Sequence, residues 1–282
     1  MNEYNPLAMT NSRVCILGAG NMGRALIGGL LRGGWPPEQL TAGESQLAAR
    51  EAVARDFGIS AAADNRAALA GASIVVLAVK PQDVAAVLQP LAEQLTALRP
   101  LLLSVAAGVR LAALEALCGG AVPVIRAMPN GPARLGAGAT GVFAPASVGG
   151  EQRAVAERVL QALGEVFWVP AEELLDVVTA LSGSGPAYFF LLAELMAEAG
   201  AELGLENRMA QRLAVATLYG AGLLARSGNG NLARLRQEVT STGGTTEAAL
   251  RALEAADLRA TVRAALNAAT QRGRELAAAR TS

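Results

Sequence analysis

The chain has 282 residues, 52% hydrophobic and 4% aromatic, with Lys+Arg and Asp+Glu balanced at 24 each. That length fills one large or two modest domains, and the small apolar side chains favour close, helix-rich packing. A formal net charge of zero without a basic block argues against a nucleic-acid partner, the lack of histidine removes imidazole as acid–base group or metal ligand, and two cysteines, Cys15 and Cys118, cannot build a disulfide framework.

Residues 1–13 are polar and irregular, without the apolar segment of a signal peptide. No run is read as approaching the roughly 18 apolar residues of a membrane span. The expected location is therefore the cytoplasm, with no membrane partner and no metal.

In chain order, Val14 to Leu17 is an apolar run entering a glycine turn, and a helical pattern follows from Met22 to about Leu31. Leu40 to Ala42 reads as a second strand and Leu47 to Phe57 as a helix closed by Gly58. Ile74 to Val79 is continuously apolar, as in a strand buried on both faces, and Pro81-Gln82-Asp83 starts another helix. Leu101 to Val105 and Val122 to Ala127 are further buried strands, separated by a helix from Leu111 to Leu117. A strand near Gly141 to Phe143, a helix near Glu151 to Leu163 and a strand near Val166 to Val169 complete the alternation. Strands alternating with helices predict a parallel sheet covered on both faces.

From Glu172 onward no strand pattern appears. Ala/Leu-rich helices are predicted over Glu173 to Leu181, Pro186 to Leu203, Arg208 to Arg226, Leu232 to Gln237, Thr246 to Ala255 and Leu258 to Ala279. The expected fold is α/β: a Rossmann-type, doubly wound parallel sheet over residues 1–171, followed by an all-α region over residues 172–282.

Gly18-Ala19-Gly20-Asn21-Met22-Gly23 matches G-x-G-x-x-G between a strand and a helix. Gly18 permits the tight turn, Gly20 the approach of a pyrophosphate, and Gly23 close helix–strand packing. The free N–H groups of the helix N-terminus then face the phosphates. Gly43-Glu44-Ser45-Gln46, at the end of the second strand, is placed for the adenosine ribose. Glu44 there favours NAD, whereas Ser45 and Arg50 could serve NADP, so NADPH and NADH both stand. The sole lysine, Lys80, lies in Ala78-Val79-Lys80-Pro81 at the C-terminal edge of a central strand, where open parallel sheets bind ligands. Ser104-Val105-Ala106-Ala107-Gly108 offers small residues to the nicotinamide end.

In the helical half, Ser182 to Tyr188 is a glycine–serine turn before a long apolar helix. Val239-Thr240-Ser241-Thr242-Gly243-Gly244-Thr245-Thr246 is a hydroxyl-rich, glycine-flexed loop before another. Such a loop can aim several donors at one anion, and a substrate carboxylate is its natural guest.

Several stretches in this order resemble the pyrroline-5-carboxylate reductase family from Val14 to about Ala279. They are Gly18 to Met22, Leu77 to Gln82, Ser104 to Gly108, Met128-Pro129-Asn130, Leu181 to Tyr188 and Val239 to Thr246. The resemblance implies reduction of Δ1-pyrroline-5-carboxylate to L-proline with NADPH or NADH. It also implies a homodimer interlocked through the helical domain, in some members built into a larger ring such as a decamer, with the active site between the domains. Carried over by motif, Leu17 to Met22, Asn65, Ala78, Val79, Lys80, Pro81, Val105, Ala106 and Ala107 contact the cofactor. Thr245, Thr246, Ser241, Gly243 and Gly244 hold the substrate. Thr246 takes the ring nitrogen as the catalytic residue, and Glu172 is a further substrate contact. Two positions depart from the family pattern: Gly131 replaces a threonine, and Thr242 replaces a proline. The competing enzyme reading is a β-hydroxyacid dehydrogenase-like or other imine reductase, and the competing non-enzyme reading is a dinucleotide-sensing regulator.

Overall fold

The computed structural model describes residues 12–120, 122–227 and 230–279. The absence of a signal segment, read from residues 1–13, falls mostly outside them. Among them two compact units emerge, one running to Gly183 and rejoined by the chain from Ala269, the other Ser184–Ala268.

The first unit is built on eight strands in the order β3-β2-β1-β4-β5-β6-β7-β8. Their ranges are β1 Val14–Leu17, β2 Leu40–Gly43, β3 Ser60–Ala62, β4 Ile74–Leu77, β5 Leu101–Ser104, β6 Val124–Met128, β7 Gly138–Phe143 and β8 Gly164–Trp168. Helices α1 (Asn21–Arg32), α2 (Leu47–Phe57), α3 (Asn65–Ala68), α4 (Val84–Leu88), α5 (Ala92–Leu98), α6 (Leu111–Leu117) and α7 (Gly150–Gln161) lie between them. Every residue of β1, β4 and β5 is buried, because helices cover both faces. Alternate strand residues feed two cores. Val14, Ile16, Val76 and Leu103 pack with Leu26, Leu30, Val159 and Leu160, while Cys15, Leu17, Val75 and Leu102 pack with Leu88, Leu95 and Leu114.

One pairing departs from the all-parallel expectation, and one parallel strand was not foreseen. β7 runs antiparallel to β6, with Ala127 opposite Val142. The short connection between them holds only a 3-10 turn, Gly131–Leu135, and a parallel partner would need a crossover long enough for a helix. β3 also joins the edge beside β2. Its three small, half-exposed residues carry no apolar alternation for a sequence pattern to register.

Helix begins again with α8 (Leu174–Val178), which continues into a π-helical turn, Thr179–Gly183. Composition changes at residue 171, whereas the compact unit extends to Gly183, because α8 packs on the sheet. A Cβ on Gly141 of β7 would lie 2.5 Å from Val178, and one on Gly183 would lie 2.9 Å from Met128. Asn130 ties this region down, donating to the Ser182 carbonyl at 3.0 Å and accepting from Ala139 N–H at 2.9 Å.

The second unit contains α9 (Gly185–Glu202), α10 (Asn207–Ser227), α11 (Leu232–Glu238), α12 (Thr245–Ala255) and the start of α13 (Leu258–Ala278). Its buried contacts are small, with Ala197, Ala210 and Ala214 joining α9 to α10. Phe189, Phe190, Leu191, Leu192, Leu195 and Met196 are exposed. Contrary to the expectation of no membrane-length run, the helical stretch Leu174–Glu202 is long and apolar enough to cross a membrane by length and composition, with a mean hydropathy of 1.3. Glu194 and Glu198 interrupt the continuous apolar run, while the stretch as a whole keeps a high mean hydropathy.

Candidate active site

In the first unit the parallel strands deliver their C-terminal ends to one edge. β2 lies on one side of β1 and β4 on the other, so the chain reverses its winding between β1 and β4. In open parallel sheets the region beyond the strand ends at such a switch point is the usual ligand site. The glycine turn enters it from β1. Gly18 has φ +96°, donates to Gly43 O at 2.9 Å, and has no room for a Cβ, which would lie 2.7 Å from Val79 Cγ1 and 2.9 Å from Ala78 O. A Cβ on Gly23 would run into the Gly18 carbonyl oxygen, so α1 packs close. Gly20 differs, since a Cβ there would meet nothing within 4 Å. The turn is therefore tight behind and open in front, as a backbone cradle for a diphosphate must be.

The other predicted cofactor residues gather on the same edge. Ala78 N–H donates to Leu17 O at 2.8 Å and Val105 N–H to Leu77 O at 3.1 Å, which places Ala78 to Pro81 and Val105 to Ala107 at neighbouring strand ends. Lys80 is exposed just before the 3-10 turn Pro81–Asp83. Asn65 packs its amide against Gly43, where a Cβ would collide with it. Ser45 is exposed on the β2–α2 connection. Asn21 and Met22 open α1.

Glu172 has different partners. Its Oε1 accepts from Arg126 Nη1 at 2.5 Å and from Leu111 N–H at 2.6 Å, capping the start of α6. Arg110 and Asp176 form a second pair, at 2.6 Å. Burial pulls the Arg126 guanidinium below its usual pKa, and Glu172 opposes that shift. Sequence reading named Glu172 and missed the other three. Nothing in the local pattern marks Arg126, which sits inside an otherwise apolar strand.

In the second unit the hydroxyl loop is a tight turn ahead of α12. Gly243 has φ +73° and Gly244 N–H donates to Ser241 O at 3.0 Å, so the chain turns sharply into α12. A Cβ on Gly244 would collide with Ser241 Oγ. Thr245 and Thr246 occupy the first helical turn, whose N–H groups lack intrahelical acceptors. Thr245 is exposed and Thr246 half-buried. Glu247 was not foreseen. Its Oε2 accepts from Gly243 N–H at 2.6 Å, and the carboxylate pairs with Arg251 at 3.2 Å. The signal available for it was a carboxylate three residues after the N-cap position.

With this geometry in place, residues 13–108 match the family model described as NADP oxidoreductase, coenzyme F420-dependent, and residues 172–276 match the one described as pyrroline-5-carboxylate reductase dimerisation. The pyrroline-5-carboxylate reductase of Pseudomonas aeruginosa is 46% identical over 271 residues, covering 95% of this chain and 98% of that protein. The chain belongs to the pyrroline-5-carboxylate reductase family. The Vibrio alginolyticus reductase is 37% identical over 95% of this chain and 98% of its own length. Among solved structures, a Coxiella burnetii pyrroline-5-carboxylate reductase superposes with a TM-score of 0.91 at 38% identity, covering 95% of this chain and 99% of that one. The Plasmodium falciparum enzyme, solved with NADP bound, superposes at 0.81 with 25% identity, over 95% and 99% of the two chains.

For this reductase-family chain, Gly18→Ala is expected to weaken NADH binding about tenfold or more, since a left-handed backbone costs a non-glycine residue roughly 1–2 kcal/mol before any clash with Val79 and Ala78 is counted. Titration of nucleotide fluorescence measures it, and parental affinity would show that this turn does not carry the cofactor.

Proposed function

We infer that the chain reduces Δ1-pyrroline-5-carboxylate to L-proline with NAD(P)H. The observation that carries this reading is 46% identity over 95% of the chain to a named reductase, joined to an open glycine cradle on the sheet and a hydroxyl–glycine loop at α12. The reduced nicotinamide supplies a hydride to the C=N carbon.

The chain's own residues bind and orient. The turn from Leu17 to Gly23 receives the diphosphate, Ser45 and Asn65 serve the adenosine side, and Ala78 to Pro81 with Val105 to Ala107 support the rest of the dinucleotide. The Ser241 hydroxyl and Thr245 offer donors to the substrate carboxylate, assisted by the positive end of the α12 dipole, while Gly243 and Gly244, whose N–H groups are held by Glu247 and the Ser241 carbonyl, shape the turn. The Thr246 hydroxyl meets the ring nitrogen. A protonated imine arrives with the proton that the product amine keeps, so a site without histidine suffices. Glu172 is a positioning residue in this reading, because its charge already holds Arg126.

The helical half makes the enzyme a homodimer, and the exposed apolar residues of α9 support a partner there. Higher rings such as a decamer belong to the same proposal. The enzyme is placed in the cytoplasm, where buried Cys15 and Cys118, their thiols pushed up to about 12 and about 11, stay reduced and unreactive.

Mixing the protein with NADH or NADPH and pyrroline-5-carboxylate is expected to consume the nucleotide at a rate set by the imine. Formation of NADH or NADPH from the oxidised nucleotide with hydroxyisobutyrate-like substrates, and no nucleotide loss with the imine, would transfer the chain to the β-hydroxyacid dehydrogenases. Lys80, the sole lysine, speaks against that, since it follows β4 of the sheet rather than opening a segment of the helical domain.

A further inference from the structure

The end of β2 is closed by one acidic side chain. Glu44 Oε2 accepts from Ala19 N–H in the glycine turn at 3.1 Å, and its Oε1 accepts from Gln46 N–H at 2.9 Å. Two backbone donors from different segments hold the carboxylate against the turn that a dinucleotide must pass. The arginines around this edge are committed elsewhere. Arg50 donates to the carbonyls of Glu44 and Ser45 at 3.0 and 3.2 Å, Arg66 to Pro90 O at 2.9 Å, and Arg24 pairs with Asp56 at 2.6 Å. The edge therefore presents a fixed acceptor, with Arg50, Arg66 and Arg24 turned to other partners.

We propose that Glu44 makes this chain select NADH over NADPH, accepting from the 2′-hydroxyl of the adenosine ribose and repelling a 2′-phosphate. The inference rests on the NAD(P)H reading above. A ribose hydroxyl needs only an acceptor, which Glu44 supplies without moving. A 2′-phosphate brings up to two negative charges to a seat already holding one, and calling Arg50 to it would break that residue's two carbonyl contacts. Ser45 remains available to either nucleotide, so it does not decide between them.

Calorimetric titration of the full-length protein with NADH and with NADPH, without substrate, tests this directly. NADH is expected to bind about 10- to 100-fold more tightly. Glu44→Gln keeps the shape and an accepting oxygen but removes the charge, and should bring the two affinities to within about threefold by tightening NADPH. Glu44→Asp keeps the charge and should leave NADPH the weaker ligand. NADPH binding as tightly as NADH in the parent, or an unchanged ratio in Glu44→Gln, would overturn the assignment of Glu44 and leave the reductase reading standing. Failure of both nucleotides to bind would overturn both.

Discussion

Arg126→Met is expected to destabilise the protein by about 3–5 kcal/mol, the cost of breaking a buried ion pair from one side. The Arg126 side chain is 6% exposed and Glu172 18%, and the two meet at 2.5 Å. Removing the guanidinium leaves a largely buried carboxylate whose remaining hydrogen bond among the described residues is the Leu111 N–H, beside a second acid, Asp176, whose own partner is Arg110. The double variant Arg126→Met/Glu172→Leu should recover part of the loss, because it buries no uncompensated charge. It should still fall short of the parent, since the start of α6 loses its acceptor. Urea midpoints measure both variants, at fixed protein concentration because association shifts apparent stability. A single variant within about 1 kcal/mol of the parent would mean that the pair adds nothing to the fold.

Thr246→Ala is expected to lower kcat/KM for pyrroline-5-carboxylate about 10²-fold, the lower end of what a positioned proton-handling group contributes. Alanine suits the first turn of α12 at least as well as threonine does, so helix stability should not fall. NADH affinity should not change either, which separates a catalytic loss from a structural one. Thr246→Ser, which restores the hydroxyl, should recover all but about tenfold of the activity. Full turnover in Thr246→Ala would remove the hydroxyl from the reaction and leave only the loop's backbone donors.

Much of this site was legible before any coordinates. The run Val14–Leu17 entering three spaced glycines, the apolar run ending at Leu77, and the serine- and threonine-rich loop around Gly243 and Gly244 each carry their chemistry within a few residues. In the structure the first two meet on one sheet edge, and the third starts a helix. Helix ends were equally local: Gly58 closes α2 in the left-handed region, and Pro186 sits in the first turn of α9.

By itself the sequence determined the alternation of strands and helices, the glycine cradle, the hydroxyl loop and the switch to an all-helical second half, because periodicity and turn chemistry act between near neighbours. Only the tertiary structure decided that β7 turns back against β6, that β3 joins the edge, that Arg126 lies buried against Glu172, and that Glu44 reaches across to the amide of Ala19. Those outcomes depend on which distant segments become neighbours. Strand pairing and the compensation of a buried charge are satisfied across space, and the residues on either side look ordinary until the fold brings them together.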